Sequence, residues 1–131
     1  MPQRILEDFF MIIIIYFKFI TIIIISVRPE LTTHPINQTK IEGGNVTFAC
    51  DATGNPEPIF LWIKDGAVVN TTLRIIYSSD NKQLFITNVS RRDSGEYVCI
   101  TENIVGYGGS SSASLNVYCK NILCFSCCCS C

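Results

Sequence analysis

The chain has 131 residues, a formal net charge of −1 and a hydrophobic fraction of 48%. That length holds one domain of ordinary size plus extensions. The near-neutral balance, with no basic run and no aromatic-basic interleaving, excludes the electrostatic footprint of a nucleic-acid binder.

The hydrophobic excess is concentrated near the start. Residues 1–8 are polar and mixed in charge, with Arg4 against Glu7 and Asp8; then ten of the nineteen residues 9–27 are Ile or Val. The run Phe9–Ile25 shows no period of two or of 3.6; it is apolar all round, which predicts a hydrophobic helix. Its seventeen residues stand at the lower limit for spanning a bilayer and exceed the ~7–15 residues of a usual signal-peptide core. No small-x-small cleavage pattern follows. Lys18 in the middle costs ~3 kcal/mol on the insertion scale, offset by the surrounding Ile and Phe. Residues 1–27 therefore read as a signal peptide or a signal-anchor segment. A third reading stays open, because isoleucine runs also arise when AT-rich non-coding sequence is translated.

Residues 28–34 read as a linker with two prolines nearby, and residues 35–118 as a domain of short strands. Ile36–Lys40 is a first edge strand, stopped by Glu42-Gly43-Gly44. Asn45–Thr53 alternates Val46, Phe48 and Cys50 inward with Thr47 and Ala49 outward. Gly54-Asn55-Pro56-Glu57-Pro58 is a turn cluster. Phe60–Lys64 carries the only tryptophan, Trp62. Asp65-Gly66 turns into Ala67–Val69, followed by Arg74–Tyr77, Gln83–Thr87 and Glu96–Asn103. Gly106–Gly109 reads as a glycine-rich hairpin leading to Ser110–Val117. Turns every 8–12 residues between seven or eight strands predict an all-β protein of two packed antiparallel sheets, preceded by the N-terminal helix.

Leu84, Ile86, Val89, Asp93, Gly95, Tyr97 and Cys99 stand in the register L-x-I-x-x-V-x-x-x-D-x-G-x-Y-x-C. Cys50 lies 49 residues before Cys99, and Trp62 lies 12 residues after Cys50. Over about Pro35 to Tyr118 the chain resembles the immunoglobulin superfamily, most closely I-set and C2-type domains of cell-surface proteins. The resemblance implies a Greek-key sandwich, an inter-sheet disulfide between Cys50 and Cys99 with Trp62 against it, and a tyrosine corner from Tyr97 to the backbone near Asp93. It also implies an ion pair between Asp93 and a basic residue such as Arg74. Closing a loop of about 50 residues is worth roughly 4 kcal/mol in the chain-entropy account. These residues, with Leu84 in the core, are structural.

Four Asn-x-Ser/Thr sequons occur, at Asn37, Asn45, Asn70 and Asn88. With the cysteine pair they point to the secretory route and an oxidising compartment, hence to the plasma membrane or the medium. His34 is the only histidine and lies before the sandwich, so no nucleophile has a base to pair with. The acidic residues form no metal or glycoside motif, and Gly106–Gly109 lacks the helix that a phosphate-cradling loop needs. The sequence thus predicts no enzyme, cofactor or metal.

Binding through loops or sheet faces is what the sequence leaves. Phe60, Phe85, Tyr107 and Ile104 are the exposed apolar candidates, with Tyr107 at the hairpin tip and Phe85 on an outer face. The expected role is recognition or adhesion by non-covalent protein contacts, to another copy or to another cell-surface protein, with membrane attachment through residues 9–25 if they are retained. The alternatives are a spacer repeat of an extracellular array and a secreted binder. Residues 119–131 form a Cys-rich tail holding six cysteines. Cys124 and Cys127 are spaced like a metal pair, but Cys127, Cys128 and Cys129 cannot all reach one tetrahedral zinc. A prenylated Cys-x-Cys end, intermolecular disulfides and a misread gene end remain as readings of the tail.

Overall fold

A computed structural model describes residues 2–120. It comprises a helix α1 (Pro2–Ile24), ten strands and one 3-10 turn (Arg91–Asp93). The strands are β1 (Val27–Thr33), β2 (Gln38–Ile41), β3 (Val46–Ala49), β4 (Asp51–Asn55), β5 (Ile59–Lys64), β6 (Ala67–Val68), β7 (Ile75–Tyr77), β8 (Gln83–Ile86), β9 (Gly95–Asn103) and β10 (Gly106–Tyr118). One layer is the five-stranded sheet β2-β10-β9-β5-β6; the other is built from β3-β8-β7 and the pair β1-β4. All pairings are antiparallel except β2 with β10, which run parallel.

Alternation explains the core. Val46 and Phe48 on β3, Phe60 and Trp62 on β5, Leu84 and Ile86 on β8, and Tyr97 and Cys99 on β9 all turn inward and are buried. Burying each large side chain contributes about 1.5–3 kcal/mol. Phe48 sits between the other aromatic rings, 6.3 Å from Trp62 and 4.9 Å from Tyr97 between centroids. The Trp62 indole N–H donates to the Asn81 carbonyl at 2.9 Å, so its polar atom costs nothing by being enclosed.

The structure departs from four sequence expectations. Residues 28–34 are not a linker: Val27–Thr33 is strand β1, paired with β4. A proline at position 29 hides this strand from pattern reading, yet a strand paired on one side tolerates a missing N–H. Pro29 is buried, and two glycines make room for it. A Cβ on Gly54 would come within 3.1 Å of the Pro29 Cα, and one on Gly108 would collide with its side chain. Second, the strand read as Asn45–Thr53 breaks at Cys50: β3 pairs with β8, while β4 pairs with β1. Third, the hairpin turn is Ile104-Val105, and Gly106–Gly109 already belongs to β10. Tyr107 is therefore not at the tip but paired with Glu102 along the strands. Fourth, Phe60 is not exposed. It shares a face with Trp62, two residues on, and is 6% exposed.

Helix α1 carries its apolar side chains all round. Phe9, Phe10, Ile12, Ile15, Phe17 and Phe19 are each more than 60% exposed and Met11 is 57% exposed, and at 3.6 residues per turn these seven are spread round the helix. Among the described residues no helix is long and apolar enough to cross a membrane; Arg4, Glu7 and Asp8 occupy the first turns and Lys18 interrupts the run. Beyond Lys120 the Cys-rich tail lies outside the described residues.

Candidate interaction surface

The marked residues assemble around one point of the core. Cys50 and Cys99 form a disulfide bridging the two layers, 49 residues apart in sequence. Trp62 and Leu84 are fully buried beside it. The Tyr97 hydroxyl donates to the Asp93 carbonyl at 2.7 Å. Burial first, then the Asp93 charge, pushes the Tyr97 phenol far above its ordinary value. Arg74 donates to Asp93 through both guanidinium nitrogens, at 3.0 Å and 3.4 Å. The Ser90 N–H adds a third bond at 2.7 Å. Burial works to raise the Asp93 pKa, but Arg74 and the Ser90 N–H outweigh it and hold the carboxyl below the usual range. This cluster pins the 3-10 turn across the end of the sandwich and is fully engaged internally.

The four sequon asparagines are all exposed. The Asn37 side-chain oxygen accepts from the Ser114 N–H at 2.9 Å, and that of Asn45 from the Asn88 N–H at 3.2 Å. In both, the side-chain oxygen is the bonded atom, whereas a glycan attaches through the amide nitrogen. Asn37 and Asn70 stand beside the edge strands β2 and β6. Asn45 and Asn88 adjoin β3 and β8 on the other sheet.

Of the apolar contact candidates, Phe85 lies on the outer face of β3-β8-β7 between Thr47 and Ile76, and is only half-exposed. Tyr107 is 57% exposed and Ile104 81%. Tyr107 belongs to a larger surface that pattern reading missed. The strand register puts Ile59 across from Glu102, Leu61 from Ile100 and Ile63 from Val98. These pairs, with Tyr107 beyond Glu102, form the outer face of the five-stranded sheet. Ile59 is 62% exposed and Leu61 43%. The signal was present: counting in twos from an inward Trp62 sends Leu61, Ile59 and Ile63 outward.

Beside this aliphatic stripe, β10 presents Ser110, Ser112 and Ser114, opposite Ile100, Val98 and Glu96. The face therefore has a bulky half on β5 and β9 and a low half on β10. At the end near the Ile104-Val105 turn it runs into a cleft of about 300 Å³ lined by Pro56, Glu57, Ile59, Glu102, Asn103 and Ile104. Among the described residues there is no group of His, Cys, Asp or Glu able to hold a metal.

Comparison with known proteins agrees with this geometry. Neural cell adhesion molecule 1 of Rattus norvegicus is 38% identical over 104 residues, covering 75% of this chain and 12% of its own length. Hemicentin-2 of Mus musculus is 34% identical over 85 residues, covering 65% of this chain and 2% of its own. The chain thus spans a small part of the curated relatives it matches. The solved extracellular domains 3–5 of Drosophila OTK superpose with a TM-score of 0.66 at 30% identity, covering 71% of this chain and 32% of that one. Residues 28–103 match the immunoglobulin domain family, whose members are in general not enzymes, and the match starts inside β1, where the sandwich itself begins. The chain belongs to the immunoglobulin domain family.

Proposed function

We propose that this domain is a recognition module of the cell surface or the extracellular space, acting in adhesion or receptor binding through non-covalent protein contacts. The observation that carries this reading is the outer face of the five-stranded sheet. An aliphatic stripe spread over two neighbouring strands is more than isolated surface apolar residues amount to. Kinship with a cell adhesion molecule supports the same reading, as do the exposed sequons. Contacts through a single domain of this kind are weak and gain strength from clustering.

Helix α1 runs into β1 with only Ile25 and Ser26 between them, and the Asn55 amide donates to the Ile25 carbonyl at 3.0 Å. Retained, the helix would tether the sandwich with little slack; removed, the domain would be a secreted binder. Carbonate extraction of animal cells expressing the full chain separates the two. Protein in the membrane pellet supports the tether, and protein in the medium lacking residues 1–25 supports secretion.

The test of recognition is two-colour cell mixing. Cells displaying the full chain should collect cells of at least one other type above a display control, and Leu61→Asp should abolish the effect. No collection from any cell type would favour the second reading, a spacer repeat. The great length of the relatives, of which this chain spans 12% and 2%, supports that second reading.

A further inference from the structure

We infer that the outer face of the five-stranded sheet docks a different protein rather than a second copy of this chain. The partner's contact surface is apolar at its centre and carries Arg or Lys where it meets Glu96 and Glu102. This rests on the recognition reading and names the chemistry of its partner.

Charge selects the partner. Glu96 and Glu102 both point outward from β9, at opposite ends of the apolar stripe, separated by about 20 Å at ~3.4 Å per residue. Both are exposed, and among the described residues neither has an ion-pair partner. Other carboxylates are supplied from within: Asp93 by Arg74, Asp51 by Lys82 and Asp65 by Lys64. None of the outward positions of β5, β9 or β10 is Lys or Arg. On these three strands the face has two anionic ends and no cationic side chain between them.

Symmetry works against a second copy. A closed pair of identical domains related by a two-fold axis associates through an isologous contact. With these sheets face to face and β9 over β9, a two-fold axis along the strand sets Glu102 on Glu102 and Glu96 on Glu96. An axis across the strand sets Glu96 on Glu102. In both of these aligned arrangements carboxylate meets carboxylate at both ends, and such like-charge contacts disfavour them. A cationic rim on another protein turns the same two positions into attractions that fix register.

The cleft beside Glu102 offers a place for a cationic side chain. It joins two carboxylates, Glu57 and Glu102, to the aliphatic walls of Ile59 and Ile104. Glu57 lies 3.9 Å from the Lys82 ammonium, at the outer limit of an ion pair, and its side chain is 83% exposed. An arginine suits such a place, since its stem lies along apolar surface and its planar head donates to two acceptors. Asn37 and Asn70, beside the sheet edges, leave the face itself without a sequon.

The test uses the full chain displayed on animal cells and two fluorescent, disulfide-closed β-hairpin peptides. Both alternate Leu with a charged residue, Arg in one and Glu in the other. The Arg hairpin should bind at least about ten-fold tighter than its Glu twin, a difference of about 1.4 kcal/mol. Glu96→Gln with Glu102→Gln, both at exposed positions that leave the core intact, should shrink that preference to about three-fold or less. Ile76→Asp on the opposite sheet should leave it unchanged. Equal binding of the two hairpins overturns the inference. So does a preference that survives the double Gln variant, or no binding of either up to roughly 1 mM. Staining of the displayed chain by a soluble tetramer of the same chain, lost in Leu61→Asp, overturns it in favour of self-association. If cell mixing still succeeds while arginine selectivity fails, recognition stands and only the partner's chemistry falls.

Discussion

The two sheets share one core and differ on the outside. Their inner faces follow the same rule, with every second residue large and apolar, and meet at Trp62, Phe48 and the Cys50–Cys99 bridge. The outer face of β3-β8-β7 carries Thr47 and Gln83 around a half-covered Phe85 and Ile76, with two sequon asparagines at its border. The outer face of the five-stranded sheet carries an aliphatic stripe bounded by glutamates and a serine shelf. Packing dictates the inner faces and is indifferent to the outer ones, so the contrast between outer faces is where function is to be read. The way to break that contrast is to perturb each surface separately.

The largest effect belongs to the shared core. Trp62→Ala should lower stability by about 3–5 kcal/mol, because it leaves a cavity between both sheets. Chemical denaturation of the full chain should show a midpoint far below the parent's. It should also show loss of binding by the five-stranded face, since neither sheet stands without the other. A Trp62→Ala protein that unfolds in two separate steps would show that the sheets do not share one core.

Next comes the cluster that closes the end of the sandwich. Asp93→Asn removes the anionic partner of Arg74 and should cost about 1–3 kcal/mol at pH 7. The direction with pH follows from linkage. The folded-state pKa of Asp93 is lowered from 3.8, so its contribution is present in full above that value and fades as pH falls through the depressed folded value. The difference between parent and variant should therefore be constant from pH 7 to about 5 and shrink at lower pH. Denaturation curves across that range measure it. A difference that grows on acidification would mean that Asp93 is held protonated rather than ion-paired.

Much of this was legible in the sequence. Trp62, Leu84, Tyr97 and the cysteines announce the core, because together they stand in a register that rarely arises by chance. The strand β1 was not legible. Pro29 reads as a breaker, and only the approach of Gly54 and Gly108 makes a place for it; that proximity links positions 29, 54 and 108, which no local window contains. The surface at Tyr107 was half legible. Its exposure is visible in the sequence, but the turn sits at Ile104-Val105, since Asn103 uses its side-chain oxygen to accept from the Val105 N–H at 2.9 Å. An asparagine that closes a turn this way leaves the following glycines to run on as strand. The outer stripe is legible once Phe60 is placed inward with Trp62, two residues on, which sends Ile59, Leu61 and Ile63 outward.

Smaller in stability, but sharper for the comparison, is a matched pair of substitutions. Leu61→Asp and Ile76→Asp both place a carboxylate at a partly exposed position, 43% and 50% exposed in the parent residues, one on each outer face. Each should change stability by less than about 1 kcal/mol, as surface changes outside the core usually do. Only Leu61→Asp should abolish cell collection in the mixing experiment. Equal loss from both would erase the distinction between the faces, and loss from Ile76→Asp alone would reverse it.

The smallest effects concern the sequons, and they test whether the bare face is bare in the cell. Thr39→Ala removes the acceptor motif of Asn37 without touching the bond from Ser114, and Asn70→Gln removes the one beside β6. Both positions are exposed, so each should shift stability by less than about 0.5 kcal/mol. Each should shed one glycosidase-sensitive step of electrophoretic mobility. Neither asparagine lies on the aliphatic stripe, so binding by that face should hold or rise slightly as nearby bulk is removed. If binding falls on losing either glycan, then the sugar belongs to the contact, and the recognition surface extends past the sheet edge to include it.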